Sequence, residues 1–143
     1  MKVKQLSLFL ENKPGALSRP VSLLAKAKFN ILSLSVADTA QFGILRLVVQ
    51  DWEKALQVLK KDGFVAKVTD MVAIEVADAP GGLAAILAAL EKTHVNLEYM
   101  YGFSQVRGNR AVLMFRFDDP DRAIEALKKK GINPVGSVEL FSR

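Results

Sequence analysis

The chain has 143 residues, half of them apolar, with no cysteine and a single histidine, which excludes disulfides, thiolate chemistry, cysteine-based zinc sites and a histidine-rich metal cluster within one chain. Its formal charge of +5 lies wholly in the first half: residues 1 to 70 hold eleven basic and six acidic side chains, residues 71 to 143 nine of each. The lysines are scattered or end predicted helices, and no arginine-rich or aromatic-basic run occurs, so no nucleic-acid partner is expected.

No apolar stretch approaches the roughly 20 residues that span a bilayer. Met1-Lys2-Val3-Lys4 leads into a strand pattern without a signal-peptide cleavage site, so the expectation is a cytoplasmic protein with no membrane partner.

Residues 3 to 10 alternate, with Leu6, Leu8 and Leu10 on one face and Gln5, Ser7 and Phe9 on the other, as in a half-buried strand. Asn12-Lys13-Pro14-Gly15-Ala16-Leu17 follows as a strand-to-helix turn, with proline expected in the first helical turn and glycine allowing close backbone approach. Leu17, Val21 and Leu24 then recur at helical spacing to about Lys28, and Asn30 marks the end. A second strand is predicted over 31 to 38, and residues 39 to 42 form a hairpin link. The third strand carries Leu45, Leu47 and Val49 against Ile44, Arg46 and Val48. Asp51 is the expected N-cap of a helix striped by Ala55, Leu56 and Leu59 and stopped at Gly63. A short fourth strand over 64 to 68 precedes the break at Thr69-Asp70.

The pattern then restarts. Leu6, Leu8 and Leu10 map onto Val72, Ile74 and Val76 at an offset of 66, as do Pro14-Gly15 onto Pro80-Gly81, Leu17 onto Leu83 and Asn30 onto Asn96. Beyond the hairpin the offset is 68, taking Leu45, Leu47 and Val49 onto Leu113, Phe115 and Phe117, and Gly63 onto Gly131; the two extra residues fall around Val106 to Arg110. The repeat predicts an α+β fold of two ferredoxin-like β-α-β-β-α-β modules in tandem, 1–70 and 71–143, with antiparallel sheets and helices on one face. The far sheet face would carry Phe9, Ile44, Val48, Met71, Ala73, Val112 and Met114. That face is too apolar to leave wet, so packing within the chain and between two chains is expected.

Asn12-x-Pro14-Gly15-Ala16-Leu17 with Asn30-Ile31, and Asp78-x-Pro80-Gly81-Gly82-Leu83 with Asn96-Leu97, resemble the ACT domain family over nearly the whole chain. The resemblance implies a non-catalytic regulatory or sensor protein that binds a small effector, most often an amino acid, where modules meet. It implies no cofactor, a homodimer, and a separately encoded metabolic enzyme as partner. Carried over residue by residue, the ligand-binding set is Asn12, Gly15, Ala16, Leu17, Asn30 and Ile31, with Asp78, Gly81, Gly82, Leu83, Asn96 and Leu97. Backbone N–H groups near Gly15-Ala16 and Gly81-Gly82 suit a carboxylate, while Asp78 or the Asn12 and Asn30 amides suit an ammonium group. Asp78 carries charge where Asn12 does not, so the two sites should differ in affinity.

Two other readings stand beside this one. The first is a ligand-free structural subunit whose open sheet face docks an enzyme. The second is a small enzyme using Asp78 or the aspartates around Pro120. Asp78 and Asn12 also read as plain turn formers. Asp118, Asp119 and Asp121 read as helix-capping groups, and His94 as a helix-end residue. Tyr99, Tyr101 and Phe103 share a strand face, as sheet packing or a pocket lining. No Walker or dinucleotide fingerprint accompanies Gly81-Gly82, and no nucleophile-base constellation or metal site is visible.

Overall fold

The structure is a computed structural model and describes residues 1–103 and 108–142. The expected two-residue insertion around Val106 to Arg110 therefore lies partly outside the described residues. Residues Lys4–Thr69 form one compact unit, and Asp70–Arg143 with Met1–Val3 form a second.

The first unit contains β1 (Val3–Glu11, apart from Val3), α1 (Ser18–Lys26), β2 (Ile31–Asp38), β3 (Phe42–Val49), α2 (Trp52–Lys61) and the start of β4 (Ala66–Ala77). Its strand order is β2-β3-β1-β4. β3 runs antiparallel to both β1 and β2, with Leu6 opposite Leu47 and Val36 opposite Leu45. The alternation of β1 and β3 turns Leu6, Leu8, Leu45, Leu47 and Val49 into a core closed by Leu24 of α1 and Ala55 and Leu59 of α2.

The second unit contains the rest of β4, α3 (Gly82–Leu90), a 3-10 turn at Glu91–Thr93, β5 (Leu97–Gly102), β6 (Arg110–Phe117), α4 (Pro120–Lys129), β7 (Pro134–Val135) and α5 (Ser137–Phe141). Its order, β7-β4-β6-β5, repeats that of the first unit. Val72, Ile74 and Val76 meet Ile86 and Leu90 of α3 and Ala123 and Leu127 of α4. Phe115 and Phe117 stack with ring centroids 5.6 Å apart. Both units are ferredoxin-like, as the repeat predicts.

Several expectations are corrected. Thr69 and Asp70 form no break: they lie inside β4, whose β-branched and apolar neighbours keep the strand extended across them. Leu17 is 44 % exposed rather than part of the helical stripe, because α1 begins only at Ser18 and buries Pro20 and Leu24. Asp51 occupies the N-cap position of α2 but makes no side-chain capping hydrogen bond.

The far sheet face is largely covered within the chain, as its apolar content predicts. Val48, Met71, Ala73, Val112 and Met114 are at most 1 % exposed within the single chain, although Phe9 is 49 % exposed. A second copy is not needed to cover those five. Gln5 and Ser7 are buried on β1 as well, with Gln5 Nε2 donating to Ser7 Oγ at 3.2 Å. Pairing is what makes such burial tolerable.

Candidate functional site

Each Pro-Gly pair forms the centre of a type II β-turn. The Ala16 N–H donates to Lys13 O at 3.2 Å and the Gly82 N–H to Ala79 O at 3.1 Å. Gly15 and Gly81 take φ of 82° and 90°, the left-handed values that a type II turn requires at its third residue, with proline at the second. The prolines are thus turn residues rather than members of the first helical turn as expected. The i to i+3 bond consumes the Ala16 and Gly82 amides, while the Gly15 and Gly81 amides lie outside it.

The flanking residues anchor these turns. Asn12 donates from its backbone to Gln41 O at 2.9 Å and from its side chain to Ala40 O at 3.1 Å. The Asp78 N–H donates to Asn109 O at 2.7 Å, leaving its exposed carboxylate clear of that bond. The two corners diverge at the next step. A Cβ on Gly82 would stand 2.1 Å from Ala77 O, so α3 can start directly on the turn only with glycine there. Ala16 holds the matching place in the first unit, and α1 starts two residues further on.

At the first corner the turn borders a recess of about 500 Å³. Phe9 and Leu10 at the end of β1, Pro14-Gly15-Ala16, Arg19 of α1 and Gly63-Phe64-Val65 line it, with Lys13 and Glu11 at its edge. Arg19 was not singled out from the sequence. Its guanidinium lies 5.1 Å from the Phe64 ring centroid and 3.6 Å from Asp62. Lys13 Nζ sits 3.0 Å from Glu11. The recess therefore offers an apolar floor, a guanidinium at its edge, a backbone turn and a flanking carboxylate: groups of the kind that suit a zwitterion with a hydrophobic side chain. The signal for Arg19 was available two residues after Leu17, but helical periodicity reports only the buried face.

The remaining site residues lie elsewhere in each unit. Glu11 pairs with Phe42 and Ile31 with Val49, so Asn30-Ile31 sit seven residues of β3 away from the Pro14 corner, about 23 Å along the sheet. In the second unit Ala77 pairs with Arg110 and Leu97 with Phe117, which separates Asn96-Leu97 from Asp78 by the same span. Asn96 is tied to the start of α4: its N–H donates to Asp118 Oδ1 at 2.9 Å and its carbonyl accepts from the Asp118 N–H at 3.0 Å.

The aspartates around Pro120 are engaged structurally. Asp119 Oδ1 caps α4 through the Arg122 N–H at 3.1 Å, and Asp121 pairs with Lys2 at 3.1 Å. His94 takes the left-handed conformation, φ 61°, just after the 3-10 turn that ends α3. Tyr99 and Tyr101 are half-buried on β5, and Phe103, just past it, is 5 % exposed. Among the described residues no group of three or more His, Asp or Glu is placed to hold a metal ion, and no helix is long and apolar enough to cross a membrane.

Comparison with known proteins agrees with this architecture. The family described as an ACT domain pair matches residues 1–142. The chain is 44 % identical over 50 residues to the acetolactate synthase small subunit of Buchnera aphidicola subsp. Baizongia pistaciae, a match covering 35 % of this chain and 31 % of that one. It is 41 % identical over 58 residues to the isozyme 3 small subunit of Escherichia coli K12, covering 39 % and 36 %. The chain thus spans about a third of the length of these curated relatives. Among solved structures, protein BT0572 from Bacteroides thetaiotaomicron superposes with a TM-score of 0.92 at 40 % identity, over 100 % of this chain and 98 % of that one. The regulatory subunit of aspartate kinase from Thermus thermophilus shares the fold, with a TM-score of 0.63 at 17 % identity over 88 % and 91 % of the two chains.

Proposed function

The chain belongs to the ACT domain family as an ACT domain pair, and from that premise we propose that it is a non-catalytic regulatory protein whose effector is an amino acid. The modules are 1–70 and 71–143, and the working form is a homodimer acting on a separately encoded enzyme of amino-acid metabolism. The observation that carries this reading is the recess at the Pro14-Gly15 corner, where Arg19 stands beside a turn amide above apolar walls. A free amino acid is shorter than the roughly 23 Å between the Pro-Gly corner and Asn30-Ile31 within one unit. If both kinds of group serve one effector, they come from different modules. Binding then acts by favouring one packing of modules over another.

The test is a thermal-shift screen of the whole chain against the twenty amino acids. An effector at a hundred times its Kd stabilises the fold by about 2.7 kcal/mol, a shift of several degrees for a chain of this size. No shift with any amino acid overturns the effector reading. The alternative, a ligand-free docking subunit, loses the surface first expected for it, since most of that sheet face is buried.

A further inference from the structure

The outer face of α3 is out of keeping with its exposure. From Gly82 to Leu90 the helix holds no polar side chain, yet Leu83 and Leu87 are 36 % and 40 % exposed and Ala84, Ala85 and Ala88 are exposed as well. A helix apolar all round belongs in an interior. The repeat supplies an internal control. Buried Pro20 and Leu24 of α1 correspond to buried Ile86 and Leu90 of α3, which fixes the alignment. At the outward positions α1 carries Ser18, Arg19 and Ser22 where α3 carries Ala84, Ala85 and Ala88. Leu17 and Val21 hold the places of Leu83 and Leu87, so the two copies differ at those three outward positions, where one is polar and the other apolar, and the fold itself does not require that difference.

Beside this face, between the end of α3 and α4, runs a groove of about 410 Å³ whose lining includes Lys92, Arg122, Lys129 and Lys130 against one carboxylate, Glu125. Glu125 is already paired with Lys129 at 3.3 Å. We propose that the outer face of α3 and this cationic groove together form a docking surface for an acidic amphipathic helix of another protein. The alanines make a shallow seat that admits a second helix closely, Leu87 supplies an apolar wall, and the cations meet carboxylates on the flank of the incoming helix. A second copy of the chain is the poorer occupant, because a symmetric contact sets the same four cations against themselves. The surface does not depend on whether either Pro-Gly corner holds an effector.

The test titrates the 15N-labelled 143-residue chain with a synthetic amphipathic helix carrying leucines at helical spacing and glutamates on the flank. A matched peptide with lysine for every glutamate is the control. Resonances of Ala84, Leu87, Ala88, Lys92 and Lys129 should move with the acidic peptide, and the lysine peptide should bind at least about tenfold more weakly. The variant Leu87→Ser with Ala88→Ser, which removes the apolar wall and makes the seat polar without changing the charge of the surface, should weaken the acidic peptide by a similar factor while leaving any amino-acid thermal shift unaltered. Equal affinity for both peptides, shifts confined to another surface, no binding near about 1 mM, or a self-dimer dissolved by the same variant in sedimentation runs each overturns the proposal.

Discussion

At residue 82 a single methyl group decides how a turn can join a helix. A Cβ there would stand 2.1 Å from the Ala77 carbonyl oxygen, which is backbone and can move only by shifting the end of β4. Gly15 has open space around its missing side chain, so its substitution costs only the left-handed conformation, about 1–2 kcal/mol. Gly82→Ala should therefore lower stability in urea by about 2–3 kcal/mol through steric displacement, more than Gly15→Ala despite an ordinary helical backbone. A smaller loss at Gly82 than at Gly15 would show that α3 can start later without penalty, as α1 does. Lys2 acts at the same scale. Its ammonium is held above its ordinary value by the hydrogen bond to Asp121 and then by that carboxylate's charge. A raised lysine stabilises fully below its unfolded value, about 10.4, and the contribution disappears as pH rises through the folded value. Asp121→Asn should flatten that alkaline slope in pH-dependent unfolding and lower stability slightly and evenly across the neutral range, where the contribution is fully present.

At the scale of elements, helix ends repeat more faithfully than helix starts. α1, α2 and α4 all close with the same paired bonds: Phe29 N–H to Leu24 O and Lys28 N–H to Ala25 O, Phe64 to Leu59 and Gly63 to Lys60, Ile132 to Leu127 and Gly131 to Lys128. These are Schellman motifs, and each needs a left-handed residue after the helix. Gly63 and Gly131 meet that need at φ 87° and 73°, but Lys28 meets it at φ 67° with a Cβ. Lys28→Gly should then raise stability by about 1 kcal/mol, read as a higher urea midpoint at unchanged m-value. The same contrast explains what the sequence discloses. Strand and helix order, the core alternation of Leu6, Leu8, Val72 and Ile74, the glycine stops and the Asp119 cap follow from periodicity and local chemistry. The type II turns were hidden because Pro-Gly suits a helix start as readily as a turn, and only the Lys13 O to Ala16 N–H bond separates the two. Burial of Gln5 and Ser7 was hidden because alternation assigns polar residues to water, whereas a mutual hydrogen bond lets them leave it. α5, a five-residue helix with Leu140 buried, is too short for a period to register.

At the scale of the whole molecule, two near-copies of one module have acquired different chemistry at the same corner. The first offers Arg19 and Asn12; the second offers Ala85 and Asp78 at the matching places. A carboxylate gains more from a guanidinium than from a turn amide alone, and an ammonium gains more from Asp78 than from an asparagine amide. On the proposed reading each corner favours a different end of a zwitterion, so unequal affinities are the expectation. Arg19 lies beside Asp62 and over the Phe64 ring at the edge of the recess with its side chain 69 % exposed, so a ligand carboxylate meets it in competition with Asp62. Calorimetry on the whole chain with the amino acid that gives the largest thermal shift should resolve two unequal classes of site. Arg19→Gln should weaken only one of them, by about tenfold or more, and Asp78→Asn only the other. If both substitutions weaken the same class, the corners are not independent sites and the two-class reading fails. If neither moves any constant, the effector avoids both corners and the differences between the copies serve partner docking alone.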